Sequence, residues 1–469
     1  MISNVSRLSK IAIIFAAILL LSCGHQVSDH INGPLRSSEV NPRYFTDDSG
    51  EAIYLTGSHT WNNLLDMGPD QPPEKFDYEA YIKWMKAYNH NFMRLWAWEL
   101  LNWNTRANRE EEAKIHHTYP QPWKRTGPGD ALDGKPKFDL TRLNPAYFKR
   151  LRKRTALAQE NGIYVSVMLF EGWGMQFSDR AFENHPFHPE NNINQINGDA
   201  DGDGSGVEIH TLSDSRITTI QETYVARVIE TVNRFDNVLY EISNENHPAS
   251  TEWQYHMIEY IKAYESNLPK QHPVGMTFQY RGGTNQVLFE SPADWISPNP
   301  EGGYDSEPPP GDGSKVIITD TDHLWGIGGN YQWVWKSFLR GLNPIFMDPY
   351  DTKILKRSYD PVWVEPLRQS MGQTLRYAEK MELIRMVPEP ELSSTGYCLA
   401  SKGEEYMVYN PGEREWSVDL SGTAGSFTSE WVDPKNGEIQ PGPLVHGGEI
   451  RVFTSPFDTP EAVLYLKKE

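Results

Sequence analysis

Cysteine is nearly missing from this chain. There are two, Cys23 and Cys398, in 469 residues, too few for a fold held by a disulfide framework. Basic residues are also short, with 44 Lys and Arg against 63 Asp and Glu and a formal net charge of -19. A surface that acidic repels phosphate backbones, which argues against nucleic acid as a partner. No Gly-rich phosphate loop follows the first strand-like run, which removes the main sign of a doubly wound dinucleotide-binding sheet. The apolar run Ile11 to Leu21 is too short to span a bilayer comfortably. There are no internal repeats.

What is present begins with a targeting pattern. Arg7 and Lys10 precede that apolar run, and Leu20-Leu21-Ser22-Cys23 follows it. This resembles a bacterial lipoprotein signal, with cleavage before Cys23 and lipidation of its sulfur. Residues 1–23 are then a signal peptide and 24–40 a polar tether. The expected location is the cell envelope, at the outer membrane or cell surface, with the membrane as a partner through the lipid. A lipidated Cys23 leaves Cys398 without a disulfide partner.

From Ala52 onward, apolar β-branched runs alternate with helical patterns. The runs are Ala52–Thr56, Asn91–Trp98, Ile163–Phe170, Val238–Ser243, Val274–Phe278, Asp294–Ser297, Lys315–Thr319 and Pro344–Met347. Between them lie segments such as Asn144–Glu160, with Asn as cap, Pro145 first and Gly162 just past the end. Ile217, Ile220, Tyr224, Val225, Val228, Ile229 and Val232 repeat at i, i+3, i+4, i+7, as one face of a helix does. Eight strands alternating with helices predict a (β/α)8 barrel over residues 41–387. From Pro388 to the end, short alternating runs separated by turns such as Asn410-Pro-Gly predict a small antiparallel β-sandwich.

A barrel places its chemistry where the strands end. Polar and aromatic residues collect there: His59 and Trp61, Arg94 and Trp98, Glu171 and Trp173, Asn244 and Glu245, Tyr280, Asp320, Asp322 and His323, and Asp348. The stretch VLYEISNENH, residues 238–247, stands out. A buried strand ending in Asn-Glu can hold one carboxylic acid in a cleft, with the position and raised pKa that a general acid requires. The chain has 15 Trp and 23 Tyr, whose flat faces suit sugar rings but also fill large cores. The connections Leu100–Leu143 and Glu171–Ser213 are too long for simple turns and are expected to shape the substrate site. The second carries Asp199, Asp201 and Asp203 before Gly204, spaced like the start of a calcium loop. Its twelfth position, however, is His210 and not Glu. A structural calcium is one reading and a solvated acidic turn the other.

The stretches YLTGSHTW, NFMRLWAWE, DNVLYEISNEN, IITDTDH and GLNPIFMDPY resemble the clan A glycoside hydrolases, and in wider pattern their apiosidase-like group. The carboxy-terminal WVDPKNGE resembles the domain labelled collagen-binding that follows such barrels. The resemblance implies a retaining hydrolase with no organic cofactor, a carbohydrate substrate, an acid/base after the fourth strand and a nucleophile after the seventh. Glu245 takes the first role. For the second, KVIITD aligns Asp320 with the usual Glu, which makes Asp320 the first choice as nucleophile; strand alternation puts Asp322 on the same face as the second. Arg94 is expected to keep the nucleophile ionised and Tyr280 to donate to it. Trp61, Trp98 and Trp173 are expected as sugar platforms, and His59, Glu171, Asn244, His323 and Asp348 as further substrate contacts. Two other readings are a carbohydrate-binding lipoprotein without catalysis and a matrix adhesin. Turnover on oligosaccharides separates the first of these from a hydrolase, and no basic or collagen-like feature supports the second.

Overall fold

The computed structural model describes residues 31–104, 115–178, 180–350, 354 and 359–469. The expected signal peptide with Cys23, and the tether as far as residue 30, lie outside the described residues. The tether reading does not hold for 31–40. Leu35 is buried, and Arg36–Ser37 pairs with Phe45–Thr46, which pairs in turn with Ala52–Ile53.

Eight parallel strands form the central sheet: β1 Gly57–His59, β2 Phe92–Leu95, β3 Tyr164–Glu171, β4 Val238–Asn244, β5 Val274–Thr277, β6 Trp295–Ser297, β7 Val316–Asp320 and β8 Asn343–Met347. Their order is β1-β8-β7-β6-β5-β4-β3-β2. The barrel closes where the N–H groups of Asn91 and Phe92 donate to the Thr56 carbonyl, at 3.0 and 3.1 Å. A side chain at position 57 would put its Cβ 2.4 Å from the Phe92 oxygen, so this approach needs Gly57. β3 and β4 are buried at every residue, as strands covered on both faces must be. They run in register from Val165 opposite Val238 to Glu171 opposite Asn244. That register brings the polar ends of the two strands to one level.

Seven of the eight sequence-predicted strands contain or overlap the observed ones. The first is displaced: Ala52–Ile53 belongs to the small amino-terminal sheet, and the barrel strand starts at Gly57. Between them the Leu55 and Thr56 N–H groups are taken by the side chains of Asn343 and Asn91, at 3.0 and 2.9 Å. The long connection after β2 carries its own β structure, including a hairpin of Trp123–Asp130 with Pro136–Leu143.

Outer helices include α1 Tyr78–Ala87, α2 Pro145–Gln159, α3 Ser215–Val232, α4 Thr251–Glu265, α5 Asn285–Glu290, α6 Tyr331–Leu339 and α7 Pro361–Lys380. Asn144 accepts the Ala146 N–H at the start of α2, and Asp214 accepts that of Arg216 at the start of α3. Each satisfies a donor that the helix itself leaves open. Among the described residues no helix is long and apolar enough to cross a membrane.

The carboxy-terminal unit is antiparallel throughout. One sheet includes β9 Cys398–Ser401, β10 Glu405–Asn410, Ser426–Val432 and Ala462–Lys468; the other pairs Trp416–Asp419 with Ile450–Phe453. A single apolar cluster joins this unit to the barrel. Trp335 and Phe338 of α6 and Tyr377 of α7 share it with Leu399, Met407 and Val463. Trp335 Nε1 and Ser370 Oγ both donate to the Pro434 carbonyl, at 3.1 and 2.8 Å. Removing residues 388–469 uncovers that face, and a large exposed apolar patch on a monomer drives association. The truncated chain is expected in the insoluble fraction. A soluble truncation with full-length Tm contradicts this.

Candidate active site

Arg94 is the hub. It sits on β2, buried, and its guanidinium reaches β4, β7 and the helical turn that follows β7. Nε and Nη2 form a two-pronged pair with Glu241 at 2.8 and 2.6 Å, and Nη2 also donates to Asn244 Oδ1 at 2.5 Å. Nη1 donates to Asp320 at 2.8 Å and to Asp322 at 3.1 Å. Every donor direction of the fork is thereby used. Glu241 was not singled out from the sequence. The signal was there, as one charge in the middle of an otherwise apolar strand.

Asp320 ends β7 and caps the short helix Thr321–Trp325. One oxygen accepts the Asp322 N–H at 2.9 Å, and His59 Nε2 lies 3.0 and 2.9 Å from the two oxygens. Burial alone would raise its pKa, but His59 and Arg94 outweigh that and hold it well below the usual carboxylate range. It is 0 % exposed. Asp322 is 8 % exposed, and among the described residues its carboxylate has one hydrogen-bonding partner, Arg94. Burial raises its pKa to about 6 against the pull of Arg94, with the charge of Asp320 adding to the rise.

Glu245 follows β4 with φ of +41, a conformation rare for a residue with a side chain. It is 7 % exposed, and no hydrogen bond among the described residues holds its carboxyl. Burial pushes its pKa well above the ordinary value, the Asp322 charge raises it further, and Arg94 opposes. Its backbone is fixed from the β3 side: Gln176 Nε2 donates to the carbonyls of Glu245 and Gly172, at 2.9 and 3.1 Å. A Cβ on Gly172 would stand 2.4 Å from Asn246 Cγ. Gly172→Ala therefore has to displace the turn that carries Glu245. We expect a loss of turnover of tenfold or more, with far-UV circular dichroism unchanged; wild-type turnover in Gly172→Ala contradicts the assignment.

Glu171 lies deeper. It is fully enclosed, and both its oxygens accept the Gly174 N–H at 3.0 and 2.9 Å. Burial raises its pKa to about 8 despite that bond. Behind it, Glu99 accepts from His210 Nε2 at 2.9 Å, from His185 Nε2 at 3.3 Å and from the Glu171 N–H at 2.9 Å. Burial would raise the Glu99 pKa, yet the two histidines bring it down to about 2. Both histidines come from the long connection after β3, so Glu99 pins that connection to the barrel.

Several expected substrate contacts are already committed elsewhere. Trp98 is 1 % exposed and stacked on Trp103, with ring centres 5.4 Å apart. Trp61 is buried beside it, its Nε1 donating to Met347 Sδ at 2.9 Å. Neither presents a face to a sugar; Trp173 is only half-buried. Asp348 is a buried ion pair with Arg368 (2.8 Å through Nε) and accepts from Ser58 at 3.0 Å. Its role is to join β8 to α7 and β1. Asn244 spends its oxygen on Arg94 and on His323 Nε2, the latter at 3.3 Å. His323 also bonds Ser297 through Nδ1 at 2.7 Å, and burial lowers its pKa to about 3. It is a neutral brace. Tyr280 has Arg281 over its ring and no bond to Asp320.

Asp199, Asp201 and Asp203 in the acidic turn lie close enough together for a metal, but their carboxylates are also engaged with the backbone of the turn. Asp199 accepts the N–H groups of Gly202 and Gly204, Asp201 that of Asp203, and Asp203 that of Ser205. His210, at the closing position, is bound to Glu99. A cluster of Asp320, Asp322 and His323 is also close enough for a metal. There the Arg94 guanidinium already bridges the two carboxylates.

The architecture is thus a (β/α)8 barrel with buried carboxylates ringing an arginine at the carboxyl ends of its strands, followed by a β-sandwich. Solved structures sharing this fold are glycoside hydrolases. One, titled glycoside hydrolase, is 13% identical at a TM-score of 0.60, covering 93% of this chain and 97% of that one. A glycoside hydrolase family 5 structure from Bacteroides vulgatus ATCC 8482 is 12% identical at a TM-score of 0.61, covering 93% and 94%. Residues 79–281 match a family described as a domain of unknown function, DUF6298. Residues 385–467 match the "Putative collagen-binding domain of a collagenase". No curated protein is significantly similar in sequence.

Proposed function

We propose that this protein is a retaining glycoside hydrolase acting on plant or algal poly- or oligosaccharides, with Glu245 as acid/base and Asp322 as nucleophile. The observation that carries the reading is the asymmetry between two slightly exposed carboxyls of one buried cluster: Arg94 holds Asp322 at 3.1 Å, whereas no hydrogen bond among the described residues holds the Glu245 carboxyl. Glu245 is pushed well above the ordinary range, while Asp322 is raised only to about 6. That difference favours Glu245 as the acid and Asp322 as the carboxylate, the division that glycoside cleavage requires. The substrate class and the retaining course rest on the resemblance in sequence.

In the first step the Asp322 carboxylate attacks the anomeric carbon. The bond to the leaving oxygen breaks, and that oxygen takes the Glu245 proton. In the second, Glu245 removes a proton from water, the water oxygen attacks the same carbon, and Asp322 is released. Asp320, with both oxygens engaged and no exposure, is assigned to hold Arg94 and His59. The sequence alone ranked Asp320 first; accessibility supports Asp322.

The test is turnover across a panel of plant and algal oligosaccharides, followed by a pH profile on whichever is cleaved. A nucleophile must be ionised, so kcat/KM is expected to climb with pH through about 6 and to fall on the alkaline side when Glu245 loses its proton. An acid limb well below the usual carboxylate range would point to Asp320. Binding without cleavage would reject the enzyme reading.

We also propose that the chain is an exported lipoprotein held at the cell envelope through Cys23. Cys23→Ser is expected to move the protein from the membrane fraction to the soluble one on fractionation. An unchanged membrane fraction contradicts the anchor.

A further inference from the structure

We propose that Trp325 is a stacking platform for a sugar ring at the rim of the site, binding a unit of the saccharide beyond the bond that is cleaved; this rests on the glycoside hydrolase reading above.

Of the chain's 15 tryptophans, Trp325 alone is exposed, at 38 %. The others are buried or half-buried. Its place is set by the helix Thr321–Trp325, which leaves β7 directly. Residues three apart on a helix share a face, so Trp325 lies one turn beyond Asp322 on the same side. Asp322 is tied to Arg94 over the barrel mouth. The indole therefore extends the line of the site outward from the reacting carboxylates.

The ring is fixed as well as exposed. Trp333 meets it edge-on, centres 5.3 Å apart at 86°, and Trp333 is itself anchored by Nε1 to the Tyr304 carbonyl at 2.9 Å. The glycine run after the helix closes on its other side. A Cβ on Gly328 would come 2.9 Å from Trp325 Cβ, and one on Gly329 would come 3.4 Å from Trp325 Cζ3. An indole held on two sides and open on a third loses little freedom when it binds. Its free surface is flat and apolar with a negative face, which matches the polarised C–H bonds on one side of a sugar ring. A protein partner would require a broad apolar patch; a single exposed indole next to the site suits a narrow ligand.

The test measures binding of oligosaccharides of increasing length to Glu245→Gln, with and without Trp325→Ala. Trp325→Ala is expected to weaken binding of the longer ones about tenfold or more, to affect the shortest cleaved one less, and to raise KM more than it lowers kcat in the active enzyme. Trp325→Tyr should restore most of the affinity. If Trp325→Ala also lowers Tm, the Tyr variant decides: recovered affinity supports the platform, and equal weakening at every length overturns it. Unchanged affinity for long oligosaccharides in Trp325→Ala overturns it too. A wild-type protein that neither binds nor cleaves any saccharide rejects the glycoside hydrolase reading itself, and the platform with it.

Discussion

Glu245→Gln is expected to slow turnover of natural glycosides about 10²- to 10⁴-fold, the usual worth of a positioned general acid. The amide keeps the shape and loses the proton, so the leaving oxygen departs as an alkoxide. A dinitrophenyl glycoside needs almost no protonation and should suffer far less in the first step. Its second step still lacks a base, so the glycosyl-enzyme should accumulate. Azide, which attacks without general base help, should restore turnover and give a glycosyl azide of retained configuration. The fold should tolerate the change, because no hydrogen bond ties the Glu245 side chain among the described residues. An unchanged or slightly raised Tm is expected, since a buried ionisable group is removed. Equal loss on both substrates would assign Glu245 some role other than acid/base.

Asp322→Asn and Asp320→Asn are expected to fail differently. Asp322→Asn replaces the charged carboxylate nucleophile with a neutral amide, so natural and activated substrates are both lost, by several orders of magnitude. Its effect on stability should be small, because Arg94 keeps Glu241 and Asp320 as partners. Asp320→Asn removes the counter-charge shared by His59 and Arg94 at 0 % exposure. Breaking a buried pair on one side typically costs about 3–5 kcal/mol, which should appear as a marked fall in Tm. Its activity should fall as well, through a displaced Arg94. The separating readout is therefore Tm beside kcat: loss at unchanged Tm marks the nucleophile, and loss with instability marks the support. The reverse pattern would return the nucleophile to Asp320.

The barrel was legible because its strands are short apolar runs ending in polar groups, and Val238–Asn244 ends as such a strand should. That strand end, together with the resemblance, pointed to Glu245. The support around it was not readable in the same way. Arg94 and Glu241 are 147 positions apart, and their pairing depends on two strands meeting in register. Asp348 looked like a site residue because it follows β8; its partner Arg368, on α7, turns it into a tie. Tryptophans read alike whether they fill a core or face solvent. Trp98 and Trp61 are packed by Trp103, which the chain brings back only through the long connection after β2. Trp325 is left open because its glycine-rich follower and Trp333 cover two sides and nothing among the described residues covers the third. The displaced first strand has a local cause as well, two asparagine side chains that occupy backbone donors before the ladder begins.

The carboxylate that carries the sugar between the two steps is the nucleophile. Glu245→Gln incubated with a panel of dinitrophenyl glycosides should gain the mass of one glycosyl unit, since the first step proceeds and the second stalls. Proteolysis and mass spectrometry should place that unit as an ester on Asp322. An adduct on Asp320, or no adduct with a glycoside that the enzyme demonstrably cleaves, contradicts the account.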